Sequence, residues 1–526
     1  MIHLADVEKS FGPRTVLRQI NLTIAEGESV VIVGPSGSGK SVLLKLICGF
    51  EPPTEGRVEI AGQDWSRLNQ PETDALRHLF GMVFQDDALF DTCTVEENVT
   101  FPLEVRGGVT LSRAEITQKA RDALRMVKLE QYARHRTVEL SGGTRRRVGL
   151  ARALAVSPRI ILYDEPTTGL DPATARDVTT LIRQLNQRHP QITTVTITHD
   201  YLCAAAIADR IFYLNRATQS LQEITAEMLA LKRQHGDGEA YLKAARDWIE
   251  TRFEAASPDS AVESRQPDFR PVSAILQAAG VVPQTVGQLT RLFFAMGKPL
   301  RFKDFRERVF EFGVNLLPVV CLASFFIGMI GMVQAYAGIR RSKMFLDPST
   351  LPRIYAAGFF KVLAPLLVGI LIAGWVGAHI SAEIGTRRFR HQFEALRMFA
   401  ISPERFLLAP IVLALVVTVP VMTLLAAWAG ILGGWWMWGT FGESSQSYLA
   451  NALTLAVFNL RDALYVVVKS MLIGVMIGTV GYQQGMLPKK DEKDIANATK
   501  NSILLASLLI VMMDFVANYL YTQYLM

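Results

Sequence analysis

Apolar positions change character near residue 305. Before it, short apolar runs alternate with polar turns. After it, long apolar runs carry few charges. In the first part, residues 1–33 read as short β-strands with a turn at Ser10-Phe-Gly-Pro13, the last strand being Ser29-Val-Val-Ile-Val33. A glycine-rich stretch separates that strand from the helix-like Val42-Leu-Leu-Lys-Leu-Ile-Cys48. Other apolar strands are expected at Gly81-Met-Val-Phe84, running into Gln85, and at Ile160-Ile-Leu-Tyr163, running into Asp164 and Glu165. The β-rich Thr193–Thr198 precedes His199. This part is predicted to be α/β.

In the second part, five apolar segments at about 311–335, 354–380, 405–434, 463–482 and 502–525 each reach about 20 residues, enough to cross a hydrocarbon core of about 30 Å. They lack the polar faces of a soluble bundle, so an all-α membrane domain of about five spans is expected. Between the second and third segments, apolar residues recur from Phe389 at 393, 396 and 400, a helical stripe. Such a helix can press on the soluble part and carry its motion into the membrane; binding lipid headgroups is the other reading. The stretch 440–460 is expected outside the membrane, with Trp435, Trp436 and Trp438 as interfacial anchors.

A polar, proline-containing linker is expected at about 254–270, followed by Thr285–Met296, whose length suits an interfacial helix or a core helix of the soluble part. The domain organisation read from this is 1–250, a linker 251–284, and 285–526.

Charge supports the division. Residues 1–300 hold 35 Lys and Arg against 36 Asp and Glu, and residues 301–526 hold 20 against 13. The near-neutral front implies no nucleic-acid partner, and the basic surplus suits cytoplasmic loops. With no leader ahead of the first strand, the front is expected in the cytoplasm. Odd-numbered spans then run outward, although Arg340, Arg341, Lys343 and Arg353 fall in an external loop. The cysteines at 48, 93, 203 and 321 show no metal-ligand spacing and are read as reduced thiols.

The chemistry centres on Gly34-Pro35-Ser36-Gly37-Ser38-Gly39-Lys40-Ser41, which is GxxxxGK[ST] between a strand and a helix. Such a loop turns backbone N–H groups onto phosphate oxygens, aided by the helix dipole. Lys40 should reach the β- and γ-phosphates and Ser41 should ligate Mg²⁺. Asp164, delivered by a buried strand, suits the Mg²⁺ shell, and Glu165 can polarise the attacking water. His199 suits the γ-phosphate. Ser141-Gly142-Gly143, leading into a basic helix, is a second anion cradle.

In this order and spacing, these motifs over about residues 1–235 resemble the ABC-transporter nucleotide-binding domain. The resemblance implies Phe11 as the ring stacked on adenine, Gly34–Ser41 as Walker A, Gln85 as the Q-loop glutamine, placed with Ser41 and Asp164 on Mg²⁺, and Ser141–Gly143 as the signature. It further implies Asp164 and Glu165 as the Walker B acid and catalytic base, Asp171 in the D-loop and His199 as the switch histidine. Thr144 stands where the family most often has Gln. Because ATP lies between Walker A of one domain and the signature of another, a homodimer with two shared sites is implied.

The run Ala88-Leu-Phe-Asp91…Thr94-Val-Glu-Glu-Asn-Val99…Phe101-Pro102-Leu103 resembles the ATPases of Mla-type (maintenance of lipid asymmetry) lipid transporters. Ala382-Glu-Ile-Gly-Thr386…Gln392-Phe-Glu-Ala-Leu-Arg-Met398…Ser402-Pro-Glu-Arg-Phe-Leu-Leu-Ala-Pro410 resembles their permease, a match over about 285–526. Phe399 departs from the usual small or aliphatic residue, and Gln484 looks inserted. This implies a phospholipid substrate, a bacterial inner-membrane location, an external MCE-domain partner and a small soluble subunit on the ATPase. A drug, solvent or sterol exporter on the same scaffold is the alternative. Lys469 and Asp514, roughly 20 and 18 Å along antiparallel spans from the inner side, reach similar depth. They are expected to pair or share a polar cavity, because an unpaired charge there is costly.

Overall fold

A computed structural model describes residues 1–91, 93–105, 111–236, 239–254, 302–342, 350–441, 444–453, 459–489 and 491–524. The interfacial helix expected at 285–296 and most of the linker lie outside the described residues. Contacts divide the chain into two compact units, Met1–Arg265 with Arg390–Ser402, and Gln266–Phe389 with Pro403–Met526.

The first unit holds two sheets. Strands β1 (Ile2–Phe11), β2 (Arg14–Ile24), β4 (Glu55–Ile60) and β5 (Gln63–Asp64) form an antiparallel sheet in the order β2-β1-β4-β5. The second contains β3 (Ser29–Val33), β6 (Phe80–Val83), β7 (Ile160–Asp164), β8 (Thr193–Thr198), β9 (Arg210–Leu214) and β10 (Leu221–Glu223) in the order β10-β9-β3-β8-β7-β6. All its pairings are parallel except that of β10. β3, β6 and β8 are buried along their whole length, as strands of a parallel sheet covered on both faces must be. The register sets Val33 beside Thr198 and Asp164 beside Ile197. The carboxyl ends of β3, β7 and β8 therefore open on one crevice, where ligands of such sheets bind.

Helices Val95–Val105, Arg113–Met126 and Gly142–Ala155 share a core through Val99, Leu103, Leu124, Val148 and Ala151. Residues 390–402 belong to this same unit. The helix ahead of them runs to Phe389, further than the loop expected from 381, because nothing in Ala382–Phe389 breaks it and Arg387 and Arg388 suit its C-terminal dipole. The break comes at His391, in the left-handed region (φ 54°), and a short helix Gln392–Met398 ends before Ala400 (φ 58°). Phe393 and Leu396, two of the stripe positions, are buried.

Among the described residues of the second unit five helices are long and apolar enough to cross a membrane: Phe305–Ile339, Leu351–Phe389, Phe406–Thr440, Leu460–Met486 and Lys493–Gln523. The third is the central one, far more of it buried than of the first or the fifth. The fourth packs on it closely: a Cβ on Gly474 would sit 2.8 Å from the Leu415 carbonyl oxygen. Trp436 is exposed, but Trp438 is buried against Tyr336 and Tyr448 rather than standing at the rim as an anchor. The stretch after it contains the helix Ser445–Ala452.

Charges inside this bundle are paired. Lys469 Nζ lies 2.6 Å from Asp514 Oδ1, the first of the two arrangements expected from their matched depths. Lys361 Nζ lies 2.6 Å from Asp462, which also accepts from Tyr521. The Lys469 ammonium donates to the Lys361 carbonyl oxygen and to Asn518, each at 3.1 Å, which joins the two pairs. Spans two, four and five thus share one polar network, and the low dielectric around it demands this degree of satisfaction.

Candidate nucleotide-binding site

The site is built where β3 turns into the helix Lys40–Ile47. Gly37 and Gly39 take φ of 78° and 104°, and a Cβ on Gly39 would press on Val16 and Leu17 at 3.0 Å. Glycine is the residue that holds this loop at no steric cost. Ser38 Oγ is buried and has no hydrogen-bond partner among the described residues. Lys40 is buried, its ammonium donating to the Gly34 and Pro35 carbonyl oxygens at 2.7 and 3.1 Å. Burial pulls its pKa down, against the pull of Glu165. Ser36, Gly37 and Ser41 are exposed.

β7 and β8 bring the other groups to the same crevice. Glu165, just past β7, is buried and held at φ 50°, a conformation a glutamate adopts only when its surroundings require it. Its N–H donates to the Ile197 carbonyl oxygen on β8 at 2.9 Å. Its carboxylate lies 3.6 Å from Lys40 Nζ, 2.6 Å from His199 Nδ1 and 2.9 Å from Thr168 Oγ1. Lys40, Glu165 and His199 are therefore assembled into one constellation from three strand ends. Asp164 has a buried oxygen without a partner among the described residues, and burial raises its pKa to about 6. Gln85 is exposed beyond β6.

Each of the remaining residues has its own surroundings among the described residues. Phe11, at the tip of the β1–β2 hairpin, is 47% exposed, so it is not a core phenylalanine; Lys9 Nζ stands 4.8 Å over its ring. Ser141 caps the helix Gly142–Ala155, and its hydroxyl pairs with Thr144 Oγ1 at 2.9 Å, which gives the atypical threonine a place. Gly142 and Gly143 face Leu170 and Thr174. Asp171 caps Pro172–Arg188, accepting from the Ala173 and Thr174 N–H groups at 3.1 Å. The Thr174 hydroxyl, and after it these amides, hold its carboxyl below the usual range.

The stripe after Phe389 packs on the soluble part, as one of its two readings expected; the individual contacts were not foreseen from the sequence. Gln392 Nε2 donates to the Leu89 carbonyl oxygen at 2.6 Å, Arg390 pairs with Asp91, and Glu394 lies 4.0 Å from Lys45, in the last turn of the Lys40–Ile47 helix. Sequence reasoning also missed Lys361, although a lysine inside an apolar run was a usable signal.

Orphaned oxygens on Ser38 and Asp164 around a buried lysine fit a phosphate with a hard cation, and the oxygen donors of Ser41, Gln85 and Asp164 are of the kind that Mg²⁺ accepts. Together, fold and site define an ATPase of the P-loop class with its nucleotide crevice at the ends of β3, β7 and β8, followed by a five-span helical domain.

Known proteins agree. The ABC transporter model matches residues 17–168 and the Permease MlaE model residues 305–520. The glutamine transport ATP-binding protein GlnQ of Escherichia coli K12 is 42% identical over 219 residues, which is 41% of this chain and 88% of that protein. The Fe(3+) ions import ATP-binding protein FbpC of Escherichia coli O157:H7 is 39% identical over 215 residues, so the chain spans 59% of that relative's length. Among solved structures, the dimeric ATP-binding cassette MJ0796 bound to ADP and Pi has 37% identity and a TM-score of 0.39, covering 43% of this chain and 99% of that one. The chain belongs to the ABC transporter family, with an ABC ATPase domain fused to an MlaE permease domain.

Proposed function

We propose that two copies of this chain form an ATP-driven transporter that moves phospholipid between a bacterial inner membrane and an external MCE-type partner, with a small soluble subunit on the ATPase. The observation that carries the reading is the assembled Lys40–Glu165–His199 constellation on a chain whose other part matches the MlaE permease.

In this reading Lys40 exchanges its two carbonyl partners for phosphate oxygens. Ser41, Gln85 and Asp164 would hold Mg²⁺, which would neutralise phosphate charge. Glu165 takes the proton from a water that attacks the γ-phosphorus as the bond to the β-phosphate oxygen breaks. His199, hydrogen-bonded to Glu165, orients that carboxylate and faces the γ-phosphate. Phe11 stacks on adenine, and the second copy supplies Ser141–Gly143 and Asp171. Residues 390–402, gripped by Leu89 and Asp91, convey the movement to the spans.

The alternative substrate class is a drug, solvent or sterol. ATPase measurements on the full chain in nanodiscs separate the two. Stimulation by added phospholipid and not by drug-like cations supports the proposal; the reverse pattern overturns the lipid assignment.

A further inference from the structure

The helix that starts at Ser141 carries one arginine deep into the unit. Arg152 is 1% exposed. Its Nη1 donates to the Ala88 carbonyl oxygen at 2.6 Å and its Nη2 to the Asp87 carbonyl oxygen at 2.8 Å. Both acceptors belong to non-glycine residues in the left-handed region, Asp87 at φ 60° and Ala88 at φ 47°. Consecutive residues of this kind cost free energy and persist only where neighbours hold them. The same guanidinium lies 5.8 Å from the ring of Phe399, which meets Phe101 edge-on at 6.2 Å. Directly after the turn come Leu89 and Asp91, the partners of Gln392 and Arg390.

We propose that Arg152 is a positioning residue for transport: it holds the Asp87–Ala88 turn in the shape that lets Leu89 and Asp91 grip residues 390–402. It thereby links the helix beginning at the signature serine to the segment that joins the second and third spans. The inference rests on the ABC-transport reading above, in which that segment conveys movement.

A buried cation needs counter-charge, and the Asp87 carboxylate, which acts on Arg152 without forming an ion pair with it, is the nearest source; that carboxylate lies 3.2 Å from Arg146 and 3.6 Å from Arg145. Those two arginines are already engaged, Arg146 by the Phe84 carbonyl oxygen and Arg145 by that of Leu140. Arg152 alone of the three spans the turn. The planar guanidinium gives two parallel donors to adjacent carbonyls while offering its face to an aromatic ring; an ammonium cannot do both. Phe399 is the position where this chain carries an aromatic residue in place of a small or aliphatic one, and the arginine gives that residue its partner.

Hydrogen exchange on the full chain in phosphatidylethanolamine–phosphatidylglycerol nanodiscs, with ATPase kinetics beside it, tests this. In R152K, the amides of 84–91 and 390–402 are expected to exchange about tenfold faster, while the KM for ATP stays within about twofold. F399L should loosen 390–402 and leave 84–91 protected. Ala88→Gly, which adopts the left-handed conformation without help, should restore much of the protection of both segments when added to R152K. Unchanged protection in R152K, or failure of A88G to restore it, overturns the proposal. Should R152K not fold, a folded A88G/R152K protein supports it and an unfolded one overturns it. Exchange does not depend on which substrate is carried, so a wild-type ATPase indifferent to phospholipid refutes the lipid reading while leaving this test intact.

Discussion

Glu165 shows what a single position can and cannot disclose. Its place after an apolar strand marked it as a candidate base, and so did its neighbour Asp164. That it would stand at φ 50° between Lys40 and His199 depends on the β3-β8-β7 order, which no local pattern carries. Glu165→Gln keeps the shape and removes the base, so ATP turnover should fall roughly 10²–10⁴-fold with nucleotide binding retained. A steady-state phosphate-release assay checks this, and turnover near the normal rate contradicts the role. His391 makes a second residue-scale prediction. The Glu394 carboxylate, 3.7 Å away, and the nearby Asp86 raise its pKa above the ordinary value of 6.5, against burial and Lys45. A raised folded pKa means the added stability is complete below the unfolded value and is lost as pH climbs through the folded one. Protection of 390–402, corrected for intrinsic exchange, should therefore decline from about pH 6.5 upward, and H391Q should flatten the profile. A flat wild-type profile contradicts this. Arg152 and the Lys45–Glu394 contact were illegible for the same reason as the strand order: their partners lie far away in sequence.

At the scale of elements, hydropathy marked all five spans, because twenty apolar residues have few other uses. It placed their ends less well. Helix continues through polar Ala382–Phe389, since only a conformation such as that of His391 stops it. Trp438 was misplaced because an aromatic near a span end suits either a rim or a core, and Tyr336 and Tyr448 decide for the core. Depth alone brought Lys469 to Asp514, but the joining of that pair to Lys361 and Asp462 required the helices to be packed. Asp514→Asn leaves Lys469 buried without its counter-ion and should cost about 3–5 kcal/mol, whereas K469M/D514L removes both charges and should recover most of it. Thermal unfolding of the detergent-solubilised protein, followed by size-exclusion fluorescence, reads the difference. Equal melting of wild type and D514N would show that the pair carries no weight.

At the scale of the whole molecule, an ABC ATPase and an MlaE permease share one polypeptide. The segment 390–402 belongs by contacts to the ATPase unit although the chain reaches it from the second span. In the proposed reading, that arrangement lets hydrolysis act on the spans. The most direct trial uses the full chain in proteoliposomes with a fluorescent phospholipid, following access of a membrane-impermeant quencher to the label after Mg-ATP is added. The account predicts an ATP-dependent change in quenching with wild type and none with Glu165→Gln. Steady ATP hydrolysis by wild type with no movement of the labelled lipid would contradict it.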